Sequence, residues 1–397
     1  MTAQRLTPPV LLALALSMAA AVSLGITRFA YGLLLPIMRD DLGWSYTLAG
    51  AMNTANALGY LVGALSAPAL LRRWGAGAAV LVGAVGASAF MALTGFFRLP
   101  EPLLLQRLLA GMASAWLFVA AGLLTAQLAA RLPGQSGWLL GIYYGGTGWG
   151  IAASALVVPA VVAQGSPWQS AWWALSLLCA AATAVLVWPV RALNEVQAGT
   201  QDSARSALPW QRCLPMLAGY GCFGIGYIGY MTFVIALLRE QGVSAQGRTM
   251  FYLVLGLAVV ASARIWAGLL ERCREGQALG LLNGLLGLAT LIPALTSQPG
   301  ALLLSGLLFG GVFLSVVAST TAWVRHNLPA LQWTQGITLF TVVFAVGQVI
   351  GPTGAGWIAD SLAGPGGPGG LSVGLMASAG VLWLGSALAW LQKPLGP

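Results

Sequence analysis

Residues 25–36 read GITRFAYGLLLP, with Arg28 set inside an otherwise apolar run. The run continues from about Pro8 to Met38, long enough to cross a bilayer, which needs ~20 apolar residues. Helical rise puts Arg28 ~15 Å in from the Arg39-Asp40-Asp41 end, near the midplane of such a span. A charge at that depth costs ~2.5–3.5 kcal/mol on insertion scales and faces a protein interior or a wet cavity. Arg28 is therefore either a structural group, bonded to helix carbonyls or paired with an acid, or a fixed positive charge awaiting an anion. The scarcity of intramembrane acids favours the second reading.

The same polarity runs through the whole chain. Of its 397 residues, 58% are hydrophobic and only 7% charged. A soluble protein of this length needs far more polar surface, so the fold class is an all-α polytopic membrane protein. Fifty-three glycines and sixteen tryptophans suit close helix packing and interfacial anchoring. The formal charge of +9 comes from arginines scattered among loops instead of clustered, so it does not point to a nucleic-acid surface. Cys179, Cys213, Cys222 and Cys273 lack metal-ligand spacing and read as packing residues. No metal cluster or nucleophile–base set is evident, so the expectation is a non-enzyme without metal or cofactor. The N-terminal run continues past Arg28, well beyond a signal-peptide core, so it reads as a retained first helix.

Apolar runs predict twelve spans, near 10–38, 46–71, 76–97, 102–130, 136–163, 168–190, 211–238, 247–270, 277–296, 299–324, 333–360 and 371–391. An even number places both termini on one side. With the N-terminus inside, eleven loop cations lie inside (Arg5, Arg72, Arg73, Arg131, Arg191, Arg205, Arg212, Arg272, Arg274, Arg325, Lys393). Four lie outside: Arg39, Arg98, Arg239 and Arg248. That bias puts both termini in the cytoplasm and the protein in the inner membrane. Residues 191–210 form a polar inside loop that separates two six-helix bundles, 1–190 and 211–397. The outside run 363–370, AGPGGPGG, reads as a flexible turn.

The two halves repeat. Gly25-Ile26 with Tyr31, then Asp41-x-Gly43-x-Ser45, recurs 199 residues later as Gly224-Ile225 with Tyr230, then Glu240-x-Gly242-x-Ser244. This register sets Tyr227 opposite Arg28. Arg107-x-x-x-Gly111 in helix four has Gly306-x-x-x-Gly310 as its copy in helix ten. The glycine run Gly141–Gly150 of helix five matches Gly347–Gly356 of helix eleven at an offset of 206. Three matches in one order imply duplicated halves and a two-bundle transporter.

These motifs resemble the major facilitator superfamily over essentially the full length. Arg107-x-x-x-Gly111 is similar to its helix-four arginine motif, and the helix-five glycines to its hinge motif. TRFAYGLLLPIMRDDLGWS, NTANALGYLVGAL and GQVIGPTGAGWIAD resemble the YbfB/YjiJ-type subgroup. One departure is clear. The loop that usually reads Gly-x-x-x-Asp-Arg-x-Gly is here Pro68-x-x-x-Arg72-Arg73-Trp74-Gly75, without the acid. The resemblance implies alternating access, with Gly145, Gly148, Gly351, Pro352 and Gly354 as hinge residues. Ala263-Arg264-x-x-x-Gly268-Leu269 resembles the helix-eight arginine that binds the substrate carboxylate in monocarboxylate and oxalate transporters.

The candidate substrate residues are Arg28, Tyr31, Asn56, Arg107, Tyr227, Tyr230, Arg264 and Gln348. A planar guanidinium matches a carboxylate bidentately, which favours arginine over lysine. Tyr31, three residues after Arg28, would share its face. Each polar group has a packing alternative: Arg107 as a helix-packing residue, Arg264 snorkelling or bonded to Glu271, the others as interhelical hydrogen bonds. All nine acids fall in loops or near span ends, which speaks against coupling through a buried carboxylate. Asp41, Glu101 and Asp360, at outer ends, are the exceptions to watch. The expectation is a secondary transporter of a small organic anion, monomeric, with Arg28 and Arg264 holding negative charge from opposite bundles. An exporter of hydrophobic or cationic compounds is the alternative; a membrane sensor is disfavoured by the lack of a soluble output domain.

Overall fold

A computed structural model describes residues 8–193, 210–363 and 369–395. Most of the linker assigned to 191–210 and of the turn at 363–370 lies outside them, as do Arg5 and Arg205. Every element among the described residues is helical. Eleven stretches are long and apolar enough to span a membrane. One, Tyr46–Thr94, is 49 residues long and leaves helical geometry at Gly75 (φ 78°, ψ 167°). Splitting it there yields spans 2 and 3 and brings the total to twelve. The polar connection read at 72–75 is thus a one-residue break, and a positive φ at that point requires glycine.

Span 1 is Pro9–Leu42, and spans 4 to 6 are Pro100–Ala130, Ser136–Val162 and Trp168–Leu193. Spans 7 to 9 are Leu214–Glu240, Ala245–Ile265 and Gln277–Leu295. Spans 10 to 12 are Pro299–Asn327, Trp333–Ala363 and Gly370–Trp390. Span 8 stops earlier than the predicted 270, because Trp266 breaks it before the short helix Ala267–Arg272.

The repeat is visible in the local geometry. Gly43 and Gly242 both adopt positive φ, 66° and 74°, and end spans 1 and 7. Two residues on, Ser45 and Ser244 cap spans 2 and 8, their hydroxyls accepting from the N–H groups of Leu48 and Gly247. Each is a serine N-cap with the acceptor geometry that stabilises a first turn. Gly111 meets the backbone of Asn56, and Gly310 meets that of Leu255, the same contact displaced by 199 residues.

The glycine runs need a correction. Gly150 packs on Ala21 and Gly25, and Gly347 packs on Gly221 and Gly224. These paired contacts set spans 5 and 11 at an offset of 197, where the sequence match reads 206. Glycines occur on several faces of both helices, so a match between glycine runs does not fix which face packs.

Span 1 is the exception to regular helix. It runs as α-helix over Pro9–Ala20, as a π-helix over Ala21–Ile26, opens into a turn, and resumes as α-helix over Tyr31–Leu42. Thr27 N–H bonds to Val22 C=O at 2.9 Å and Phe29 N–H to Leu24 C=O at 3.1 Å, each reaching back five residues. Wide turns of this kind recur at functional sites. Arg28 sits inside this one.

Between the halves, spans 5 and 8, 2 and 11, and 1 and 7 meet. Gly148 lies so close to Gly256 and Val260 that a Cβ would fall 2.7 Å from the Val260 nitrogen. Gly50 and Gly32 likewise abut the carbonyls of Pro352 and Met231. With no hydrophobic drive between helices in lipid, such backbone approach is how they associate.

Candidate binding site between the two halves

The opened turn of span 1 frees backbone carbonyls, and in a bilayer these must be satisfied from within the protein. Thr27 C=O accepts from Arg107 Nη1 at 2.8 Å, and Phe29 C=O accepts from the Tyr252 hydroxyl at 2.7 Å. Ser23 donates onward to Ser114 C=O at 2.8 Å. Spans 4 and 8, one from each half, thereby hold the break in shape.

Arg28, 1% exposed, projects from this turn. Its Nη2 donates to Gln348 Oε1 of span 11 at 2.6 Å, and Gln348 Nε2 donates to the Tyr227 hydroxyl of span 7 at 2.5 Å. The guanidinium lies 5.5 Å from the centre of the half-buried Tyr60 ring on span 2. Arg28 Nε is buried without a partner. Among the described residues the ion pairs involve only Arg39, Arg98 and Arg239, so no carboxylate pairs with Arg28. The chain Arg28–Gln348–Tyr227 crosses from the first half to the second.

Arg107, 2% exposed, occupies a different setting. Besides Thr27 it reaches Asn53 Oδ1 at 3.2 Å, and its guanidinium lies over the Tyr31 and Trp172 rings at 5.0 and 5.5 Å. Asn53 in turn donates to Thr232 of span 7 at 2.7 Å. Asn56 donates to Arg107 C=O at 3.1 Å. Arg107 thus braces the broken turn, while its Nε is buried without a partner.

Of the expected residues, Arg28, Gln348 and Tyr227 come together and Tyr60 joins them. Tyr31 does not: its hydroxyl donates to Ala49 C=O at 2.7 Å and its ring faces Arg107. The three-residue face rule holds for helix, and residues 27–30 are a turn. Tyr230 stacks on Phe309 (4.0 Å between centroids) and shares a hydrogen bond with Ser305, within the second half. Arg264 is exposed at the far end of span 8 from Ser244, its guanidinium 3.5 Å over the Trp138 ring of span 5. It does not join Arg28 here. Gly148 and Gly351 are close-packing points, against span 8 and against Ile225 of span 7, while Gly145 has ordinary contacts. Gly354 faces open space, and the Pro352 carbonyl meets Gly50.

Tyr227 is one ring of an aromatic block. It stacks on Phe223 at 4.8 Å, Phe313 at 5.2 Å and Phe344 at 5.6 Å, with interplanar angles of 22°, 23° and 18°. Phe313 also meets Phe29 edge-on at 5.7 Å. Two surface grooves, of about 510 and 420 Å³, lie elsewhere: one between spans 3 and 6, the other beside Gln241–Gly247.

At the end of the molecule opposite Pro9 and Trp390, polar contacts join the two halves. Asp360 of span 11 accepts from Tyr46 N–H (3.0 Å), Thr47 N–H (2.7 Å) and the Thr47 hydroxyl (2.6 Å), at the start of span 2. Tyr46 also donates to Glu240 of span 7, and its ring carries Arg39 at 3.9 Å. Arg239 pairs with Asp40 at 2.8 Å. Asp360, noted in sequence only as an exceptional acid, is here a cap on a helix of the other half. Thr232 and Tyr252 carried no sequence signal: each is one polar residue in an apolar span.

Twelve apolar spans in two duplicated halves, closed around a buried cation, define a membrane transporter of the two-bundle class. The model of the family described as the uncharacterised MFS-type transporter YbfB matches residues 20–390, and the chain belongs to that family. The fold is shared with the crystal structure of a mutant form of the nucleoside transporter NupG at TM-score 0.72 and 14% identity, covering 95% of this chain and 98% of that one. It is shared also with a bacterial homologue of the human lysosomal transporter Spinster, in an inward-facing and unoccupied conformation. There the TM-score is 0.70 at 16% identity, with 96% of each chain covered. No curated protein matches the sequence.

Proposed function

We propose that this transporter carries a small organic anion, a carboxylate, with Arg28 as the ligand for its negative charge. One observation carries the reading: Arg28 is buried where two halves meet, with no acid paired to it, and it reaches across to an amide oxygen of the other half instead of a backbone carbonyl of its own. Arginine stays protonated at any physiological pH, and a buried charge is retained when something compensates it. An anionic substrate is that compensation. Tyr227, Gln348 and Tyr60 supply polar and aromatic neighbours, and Arg107, Tyr31 and Asn56 hold the turn behind.

Arg264 belongs in this reading as the cation on the way in, stacked on Trp138 until the halves rearrange. The contacts at the Asp360 end support opening at the other end, and the excess of positive loops there supports a cytoplasmic side. The protein then works in the inner membrane with both termini cytoplasmic, as a monomer rocking its halves about spans 1, 2, 5, 7, 8 and 11.

The test is thermal unfolding of the detergent-purified protein against organic anions, organic cations and neutral aromatics, including nucleosides. A ligand that binds only the folded state adds ~2.7 kcal/mol at a hundred times its dissociation constant. Stabilisation by carboxylates, lost in Arg28→Ala, supports the proposal. Stabilisation by cations or neutral compounds alone overturns it.

A further inference from the structure

Resting on the carboxylate reading of Arg28, we propose that Gln348 is a built-in stand-in for the substrate. Its amide oxygen occupies half of the guanidinium edge that the carboxylate takes, and the substrate binds by displacing it.

The geometry is specific. Nε–H and one Nη2–H of a guanidinium point the same way and form its side edge, one of the forks that fits the two oxygens of a carboxylate. At Arg28 the two nitrogens of that edge are unequally engaged: Nη2 donates to Gln348 Oε1 at 2.6 Å, while Nε is buried and unpartnered. A single amide oxygen takes one donor where a carboxylate takes two. The amide orientation follows from its partners, since a guanidinium only donates and the oxygen must face it. Gln348 Nε2 is held by the Tyr227 hydroxyl at 2.5 Å, so the side chain keeps an anchor when its oxygen leaves Arg28.

The arrangement also gives substrate binding a route to both halves. Arg28 belongs to span 1 and Gln348 to span 11, so the Arg28–Gln348 bond ties the halves together when no substrate is present. A carboxylate that takes the edge breaks that tie and replaces it with contacts of its own. A neutral ligand gains little by displacing an amide, whereas a carboxylate gains charge as well as a second hydrogen bond. Gln348 thereby sets selectivity for anions by competition as much as by contact.

The experiment compares thermal unfolding of the full-length protein and its Gln348→Ala, Gln348→Glu, Arg28→Ala and Arg28→Gln/Gln348→Glu variants, without ligand and with acetate, benzoate or malonate. In Gln348→Ala the concentration of carboxylate needed for half the shift should fall about tenfold, the factor equivalent to ~1.4 kcal/mol. In Gln348→Glu the tethered carboxylate should fill the edge. The unliganded midpoint should then rise, the rise should vanish in the double variant, and added carboxylates should shift nothing. Equal or weaker carboxylate binding in Gln348→Ala overturns the proposal, as does a Gln348→Glu variant that responds like the unsubstituted protein. If the shift is lost in Arg28→Ala yet unchanged in Gln348→Ala, displacement fails while the carboxylate reading stands. If no carboxylate shifts either the unsubstituted protein or Gln348→Ala, both fail together.

Discussion

At the scale of single residues, two buried arginines of like charge are separated by their partners. Arg107 gives Nη1 to Thr27 C=O and Nη2 to Asn53, with two aromatic rings beside it, and its Nε, like that of Arg28, is buried without a partner. Arg28 has one amide and a vacant donor. Replacing Arg107 with alanine leaves the Thr27 carbonyl unsatisfied in an apolar setting, a cost of about 1–3 kcal/mol. Arg107→Ala should therefore lower the unfolding midpoint in detergent whether or not ligand is present. Arg28→Lys should behave differently. It keeps the charge but loses the planar fork, so carboxylate affinity should fall more than ~tenfold, the loss of one charge-assisted bond of about 1.5–3 kcal/mol. Equilibrium titration of the purified variant checks this.

Helix pairs show which glycines matter. Gly148 and Gly354 both belong to runs that resemble hinge motifs, yet only the first faces another backbone. Gly148→Val would push span 5 off span 8, and overpacking of this kind costs about 1–3 kcal/mol. Gly354→Ala meets nothing within 4 Å and should stay within about 0.5 kcal/mol of the unsubstituted protein. Unfolding midpoints and transport rates of the two variants make the comparison. The duplicated caps, Gly43 with Ser45 and Gly242 with Ser244, were legible in sequence because turn chemistry is local. The register of spans 5 and 11 was not, because it depends on which face of a glycine-rich helix meets its neighbour.

For the whole molecule, the contacts at the Asp360 end tie the two halves together and should act as a seal on that side. Three donors converge on one carboxylate across the two halves. Asp360→Ala removes all three acceptor contacts and leaves the first N–H groups of span 2 uncapped. A cysteine placed at Thr54, beneath the seal and bonded to Thr353 at 2.8 Å, should then react faster with a thiol reagent applied from that side. An unchanged rate in a cysteine-free background would show that the remaining contacts, Arg239–Asp40 and Tyr46–Glu240, hold the seal alone.

The sequence by itself determined the membrane class, twelve spans, the duplication and the placing of a charge, Arg28, deep in the first span. These follow from hydropathy, from capping chemistry and from the cost of one charge in an apolar run, all properties of neighbours along the chain. Only the tertiary structure decided which candidates come together. Tyr31 leaves Arg28 because the helix between them opens, so the face rule loses its basis. Arg107 braces the turn because it reaches the Thr27 carbonyl that the opening exposes. Gln348 becomes the partner of Arg28 across 320 residues of chain. No spacing along the sequence encodes that meeting, because it depends on how two bundles settle against one another.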